Sequence, residues 1–214
     1  MRAGRPSDKP SPLGSAGIAV GHSPFHVKGT IWLGTRAYYE KQIPGGPAAV
    51  ATKLNSAHAE FLMQMFMPLS WYDLLPMVEI SRAASTLMGM GHPDWVRMQA
   101  LASAERDMTG TYKALLKSSS PEAVCKRFPS IYAQLYDFGE CRVISSDSRS
   151  VESCVYGMPE PAAEWWMKAT EAYMSVILNA AGAKSPKLVF QPLAPDGTLC
   201  RVPLVRVRSR TIWK

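Results

Sequence analysis

The chain has 214 residues, of which 47% are apolar and 19% charged, so it is long enough for one globular domain with its own core. Its net charge is +7, with +3 on residues 1–28 and +5 on residues 201–214, which leaves the middle near neutral at −1. Because a nucleic-acid-binding domain concentrates its basic residues on the folded body, this distribution argues against nucleic-acid binding.

The predicted N-terminal half is helical. Residues 1–25 are rich in Pro, Gly and Ser, and we expect a disordered basic tail there. The folded domain is predicted to span 26–208, and 209–214 to form a short basic C-terminal tail. Helical spacing predicts helices over 27–43 and about 47–66. Residues 69–91 predict a third helix, capped by Ser70 or Asp73.

The next segment predicts three more helices. One helix opens at Pro93 and runs to about Lys117, because proline is tolerated in the first turn of a helix. Residues 118–140 predict two short helices broken at Pro129, where a helix interior would lose a backbone hydrogen bond.

At Cys141 the period of the apolar residues changes from the helical 3.6 to the strand value of 2. Residues 141–156 predict a hairpin that turns at 147–150, and residues 160–183 predict a long helix. Residues 187–210 predict a second hairpin that turns at 195–198. The predicted fold class is therefore α+β: a helical N-terminal half followed by β-β-α-β-β, with an antiparallel four-stranded sheet packed against the helices.

A family resemblance rests on the order and spacing of several segments. The segments are VKGTIWLG (27–34), SWYDLL (70–75), YKALLKSSSPEAV (112–124), FPSIYAQLYDFGE (128–140) and AGAK (181–184). Over residues 26–207 they resemble an uncharacterised family of paralogous proteins found mainly in myxobacteria. That family is similar in layout to heme-nitric-oxide/oxygen-binding (H-NOX) domains and to 4-vinyl-reductase-type sensor domains, which share a fold with small subunits of the TRAPP vesicle-tethering complex. The resemblance implies a helical layer and a sheet around an apolar pocket, and regulation rather than catalysis.

The H-NOX resemblance implies a heme whose expected ligand is missing from the sequence. An H-NOX domain would supply a proximal His on the helix before the first hairpin, but RFPSIYAQLYDFGE (127–140) has none, and the chain has no Tyr-x-Ser-x-Arg motif. The histidines are scattered over His22, His26, His58 and His92. We therefore expect no cofactor, and keep heme-based gas sensing as a second alternative.

The four cysteines raise the question of a metal site. Cys125, Cys141, Cys154 and Cys200 include no C-x-x-C pair, which argues against a disulfide framework. The resemblance to 4-vinyl-reductase domains implies two cysteines that flank the last turn. Cys200 matches the second, but the segment around Gln191 has no thiol to match the first.

Whether Cys141, Cys154 and Cys200 converge in space stays open, although we expect buried apolar thiols and no metal. Cys125 precedes Lys126 and Arg127, cations that favour a thiolate, so its modification also stays open. We expect no secretory signal, because the apolar run AGIAV (16–20) has only five residues, and we expect a cytoplasmic protein with reduced thiols.

Large apolar residues concentrate between positions 30 and 90. Met is flexible and polarisable, so Met-rich surfaces adapt to apolar ligands or partner helices. The alternative is an ordinary core at helical spacing. The residues predicted to bind a ligand or a partner are Trp32, Phe61, Met65, Phe66, Trp71 and Met77.

A basic strand is predicted near the C-terminus. Arg206, Arg208 and Arg210 alternate with valines, so period two puts the arginines on one face. They are candidates for docking to an acidic partner or a phosphate. The alternative is a solvated edge strand, which Pro203 favours.

No phosphate loop, nucleophile elbow or metalloprotease helix is present, so we expect no enzyme. The preferred hypothesis is a non-enzymatic sensor or adaptor domain that binds a small apolar ligand or a partner protein in regulation. The alternative is a structural or assembly subunit that forms homo-oligomers through its apolar Met/Phe-rich helices. No membrane span is expected, because a span requires roughly 20 consecutive apolar residues.

Overall fold

The computed structural model describes residues 17–109 and 120–214. Most of the predicted N-terminal tail and the end of the helix predicted to reach Lys117 lie outside these ranges. In chain order the elements are β1 His26–Lys28, α1 Gly29–Gln42, α2 Gly46–Ala51, α3 Ser56–Met63, β2 Trp71–Asp73, α4 Pro76–Leu87, α5 His92–Thr109, α6 Pro121–Leu135, β3 Glu140–Ser146, β4 Ser150–Pro159, α7 Glu160–Ala180, β5 Lys187–Phe190, β6 Ala194–Leu199 and β7 Val202–Ile212.

Up to residue 91 the helical half follows the prediction with two corrections. The stretch predicted as one helix over 47–66 is two helices, because Asn55 caps α3 and its side-chain oxygen accepts the His58 backbone N–H at 3.0 Å. The helix predicted over 69–91 begins only at Pro76, since residues 71–73 form β2. Asp73 therefore lies in a strand and does not cap the helix.

Helix α6 runs without a break through Pro129, where the sequence predicted two short helices. A proline inside a helix costs about 3 kcal/mol. Buried side chains on both sides of it, Val124, Cys125 and Tyr132, offset that cost by anchoring both halves of the helix in the core.

The main sheet is antiparallel and has five strands in the order β3-β4-β7-β5, with β6 also paired to β7. The α+β class is confirmed, but one arm of the second predicted hairpin is split into β5 and β6, which makes five strands rather than four. The turn between β6 and β7 is Cys200-Arg201, with φ of 49° and 66°, so it lies later than the predicted turn at 195–198. Gly197, with φ of 100°, lies instead at a register shift between Pro195 and Thr198.

A second, two-stranded sheet joins β1 to β2 and fixes the start of α1. It was not predicted, because each strand has three residues and shows no period. Phe25 is fully buried just before β1, so packing begins upstream of the predicted boundary at residue 26. At the other end, β7 continues to Ile212 and Trp213 is only 7% exposed, so 209–214 are part of the sheet and its core where a tail was predicted.

The core has two parts. The larger cluster lies between the helices and one face of the main sheet, and the smaller one gathers around Trp213, Met174 and Val151. Within the described ranges, no helix has the length and apolar character required to cross a membrane.

Candidate functional site

An aromatic cluster collects three of the predicted binding residues in the core. Trp32 is fully buried and stacks on Phe66 with centroids 5.3 Å apart and planes 4° apart, while Phe61 packs edge-on against it at 5.1 Å. Met77 is also fully buried, with its sulfur 3.8 Å from the Thr35 hydroxyl. These four side chains fill the interior, as the core interpretation expected.

The other two predicted residues lie on the surface. Met65 is 80% exposed and Trp71 is 39% exposed. Three further apolar side chains of the same segment are also exposed, namely Met63, Met67 and Leu69. The exposed apolar side chains begin at Met63, the last residue of α3, and continue through the loop that leads into β2, where Pro68 and Ser70 are exposed as well. We call Met63, Met65, Met67, Leu69 and Trp71 the apolar strip. Sequence reasoning did not select Leu69, although the odd-numbered spacing of the apolar residues is visible in the sequence.

Hydrogen bonds hold the backbone of the apolar strip in place. The N–H groups of Gly29 and Thr30, at the start of α1, donate to the carbonyls of Ser70 at 2.9 Å and Pro68 at 3.2 Å. The Met67 N–H donates to the Tyr72 hydroxyl at 2.7 Å. The strip passes so close to α1 that a Cβ at Gly29 would collide with the Met67 carbonyl. A fixed backbone with exposed apolar side chains is pre-organised for binding, because little entropy is left to lose.

Two cations border the apolar strip. The Lys28 ammonium lies 3.7 Å from the centroid of the Trp71 ring and donates to the Leu69 carbonyl at 3.0 Å. The Arg36 guanidinium donates to the Gln64 carbonyl at 2.9 Å. Among the described residues, neither cation forms an ion pair with a carboxylate. The strip is therefore apolar with a positive border.

Two of the cavities that the described residues form lie away from the apolar strip. The first, which we call the inner cavity, lies between α6, α7 and the main sheet and holds about 10 Å³, the space of one water molecule. The second, the outer groove, lies between α5, α7 and β5 and has a volume of about 360 Å³. A ligand-sized pocket was expected between the helical layer and the sheet, and the inner cavity, which lies there, has the space of one water molecule.

The cysteines do not converge. Cys141 is paired with Val155 and Cys154 with Arg142, so the two thiols point to opposite faces of the sheet. Cys200 lies in the exposed turn, where the sequence predicted a strand residue. Within the described ranges, no three His, Cys, Asp or Glu side chains are grouped to hold a metal ion.

Burial raises the pKa of the Cys125 thiol to about 11 and that of Cys141 to about 12. Lys126 and Arg127 are exposed and do not reverse this shift at Cys125.

Thiol labelling should therefore be confined to one cysteine. At pH 7.5 the native protein should react rapidly with Ellman's reagent at Cys200 alone, because the other three thiols are buried and their pKa values are raised by burial. Four thiols should react in guanidinium chloride, and Cys200→Ser should remove the fast native reaction. Two or more equally fast thiols in the native state would contradict this burial pattern.

The predicted basic strand lies at the centre of the sheet rather than at its edge. Arg206, Arg208 and Arg210 do share the exposed face. Arg206 pairs with Asp196 at 3.4 Å, and Arg208 pairs with Glu152 at 2.7 Å. The Arg210 guanidinium donates to the Ser150 hydroxyl at 3.3 Å. Two of the three charges are thus compensated across strands, and docking through this face stays a prediction.

Pro203 is accommodated even though β7 is a central strand. The pairing of β7 with β4 ends at Leu204, so at Pro203 the strand has a partner only on the β6 side. No described residue pairs with Pro203 on the β4 side, so a backbone N–H is not needed there.

No protein-family model and no curated protein sequence matches the chain. Solved structures do match. The Fe(II) unliganded H-NOX protein from K. algicida superposes with a TM-score of 0.62 at 13% identity, over 87% of this chain and 96% of that one. The fold is H-NOX-like. A point mutant of T. tengcongensis H-NOX, at 10% identity, matches over 87% of this chain and 97% of that one with a TM-score of 0.63. The Cs H-NOX mutant with 4-cyano-L-phenylalanine at site 5 matches over 87% and 96%, also at 10% identity and a TM-score of 0.63.

The H-NOX-like fold confirms the predicted layout, whereas the myxobacterial family stays a prediction. The fold also raises the question whether the side chains present could hold a heme. All four histidines are described, and none lies on α6 or lines either cavity. His58 bonds through Nδ1 to the Asn55 side chain at 2.9 Å, and His92 bonds through Nε2 to the Ser81 hydroxyl at 3.1 Å.

On α6, the Tyr132 hydroxyl is buried without a hydrogen-bond partner among the described residues. Burial raises the pKa of this phenol far above its ordinary value. Ligand sites for drug-sized molecules have roughly 300–1,000 Å³, and the inner cavity has about 10 Å³. The described residues do not supply the histidine on α6 that the H-NOX resemblance implies as the heme ligand.

An absorption spectrum tests this conclusion directly. After expression with heme precursor supplied, the purified protein should show no Soret band, because the described residues offer no histidine on α6. An H-NOX protein prepared in parallel serves as the positive control. A stoichiometric Soret band that is lost in one His→Ala variant would overturn the conclusion and restore heme-based sensing.

Proposed function

We propose that this protein is a non-enzymatic regulatory adaptor domain that binds a partner protein through the apolar strip. The observation that carries the proposal is the exposure of Met63, Met65, Met67, Leu69 and Trp71 along one hydrogen-bonded segment. Solvent-exposed apolar side chains next to one another on a fixed backbone are typical of interaction sites. The H-NOX-like fold supports a regulatory role by analogy.

The partner is a protein segment with apolar side chains flanked by acidic ones. The three methionines can repack around an apolar helix or loop. Lys28 and Arg36 border the strip without carboxylate partners among the described residues, so acidic groups on the partner complement them. The interior is a weaker candidate than the strip, since its cavity admits one water molecule.

The charge of the strip disfavours self-association. A two-fold homodimer uses the same patch of both copies, so it would bring Lys28 and Arg36 of both copies into one interface. Like charges across an interface cost binding energy. We therefore expect a monomer by light scattering. A stable dimer that Met65→Glu dissociates would instead support the assembly subunit.

Photo-crosslinking tests the proposal in the cells that produce the protein. A benzophenone amino acid at Met65 should crosslink to one host protein, and the crosslinked peptide should carry apolar and acidic residues. The matched control is the same probe at Met98, which is 43% exposed on α5. The proposal fails if position 98 gives the same product, or if position 65 gives none.

A further inference from the structure

The outer groove combines an apolar floor with a positive rim. Met174, Leu178 and Leu188 form the floor, and Arg97 and Lys187 stand at the rim. The groove shares no residue with the apolar strip. Its volume of about 360 Å³ lies within the range typical of small-molecule sites.

The charges in the groove are not balanced. Among the described residues, Glu171 is the only acid that lines it, and its carboxylate accepts a hydrogen bond from Lys168 at 3.2 Å. Arg97 and Lys187 form no ion pair within residues 17–109 and 120–214. Two cations beside one neutralised carboxylate leave a positive site above apolar side chains.

The groove also adjoins the inner cavity. Met174 and Leu188 line both spaces, so these two side chains separate the groove from the cavity that Phe128 and Trp166 border. Because Met changes rotamer at little cost, a movement of Met174 would extend the groove inward. The extended groove would then suit a flexible apolar chain better than a rigid ligand.

We propose that the outer groove binds a medium- to long-chain fatty acid. The carboxylate lies at Arg97 and Lys187, and the alkyl chain lies along Met174, Leu178 and Leu188 toward the inner cavity. A carboxylate is ionised at neutral pH and complements two cations. This inference is independent of the apolar strip, so either proposal can fail while the other holds.

Calorimetric titration of the full chain with decanoate tests the proposal, with all concentrations below micelle formation. Decanoate should bind at one site, and decanol, which has the same chain without the charge, should bind about tenfold more weakly. Affinity should rise about fourfold per added methylene from octanoate to dodecanoate. Equal affinity for decanoate and decanol, or no dependence on chain length, would overturn the proposal.

Charge variants locate the site. Arg97→Gln and Lys187→Gln should each weaken decanoate binding about tenfold, whereas Arg97→Lys should retain most of it. Lys53→Gln, which changes an exposed lysine far from the groove in sequence, is the matched control. The proposal is wrong if Lys53→Gln weakens binding as much as Arg97→Gln, or if a short acidic peptide competes as well as decanoate.

Discussion

Replacing Met65 and Met67 by glutamate should weaken partner binding by about 30-fold or more, because the two apolar anchors together are expected to contribute about 2 kcal/mol or more at the interface. Both side chains are exposed in the free protein, at 80% and 55%, so the loss would come from the interface and not from the core. The free energy of unfolding should change by about 0.5 kcal/mol or less. The measurement is calorimetric titration of the crosslinked partner, produced separately, with the double variant.

The matched control for this pair is Met98→Glu, which places the same charge on an exposed methionine of α5. It should leave the affinity within about twofold, because rim or remote charges alter association only weakly. If the double variant binds as tightly as the original protein, the apolar strip is not the interface. If Met98→Glu weakens binding equally, the effect is one of net charge.

Replacing Asp73 by alanine should lower the free energy of unfolding by about 3 kcal/mol, the largest effect on stability that we expect from one polar residue. Asp73 is only 2% exposed. It accepts hydrogen bonds from the N–H groups of Gly21 at 3.0 Å, Ser23 at 3.1 Å and Leu75 at 2.9 Å, and from the Ser23 hydroxyl. Alanine leaves these buried donors without an acceptor and releases the segment that carries Phe25 into the core.

Thermal denaturation checks this prediction. At roughly 2–4 °C per kcal/mol for a domain of this size, the midpoint should fall by about 6–12 °C. The midpoint of Asp73→Asn should lie between the midpoints of Asp73→Ala and the original protein, because the amide keeps one acceptor oxygen. Glu105→Ala, at an exposed acid on α5, should change the midpoint by about 2 °C or less. If the midpoint of Asp73→Ala stays within about 2 °C of the original, the hydrogen bonds to Asp73 contribute little to the free energy of unfolding.

The long elements could be predicted from the sequence because their signals are repeated many times. The helix predicted over 160–183 is α7, Glu160–Ala180, and the turn predicted at 147–150 joins β3 to β4. In that turn the Asp147 side chain accepts the N–H groups of Arg149 and Ser150 at 2.8 and 2.7 Å, which is the reason that aspartate favours turns.

The short elements could not be predicted because tertiary contacts decide them. Strand β2 exists only because residues 71–73 pair with β1, which lies far away in the chain. The turn between β6 and β7 uses Cys200 and Arg201 with positive φ, although Gly197 three residues earlier is the better turn former. A two-residue loop with positive φ at both positions matches the twist of the flanking strands. The pairing of β6 with β7 therefore decides where the chain turns, although Gly197 is locally the better turn residue.

For the candidate site, residue type alone did not predict which side chains are buried and which are exposed. Trp32, Phe66 and Met77 are in the core, whereas Met65 and Trp71 are exposed, yet all five are large and apolar. Met65 and Phe66 are neighbours in the loop after α3, and only Phe66 is buried, because it stacks on Trp32, a tertiary contact that the sequence does not show. The role of Asp73 had no local signal, since its donors at Gly21 and Ser23 lie 52 and 50 residues upstream.

The central place of β7 has a consequence for biosynthesis. β4, β5 and β6 each pair with β7, yet all three precede it in the chain. As the polypeptide leaves the ribosome, only the β3–β4 hairpin of the main sheet can form, while β5 and β6 wait for residues 202–212 to be translated. The nascent chain therefore carries unsatisfied strand edges until late in synthesis, and chaperones that shield such edges should raise its yield in heterologous hosts.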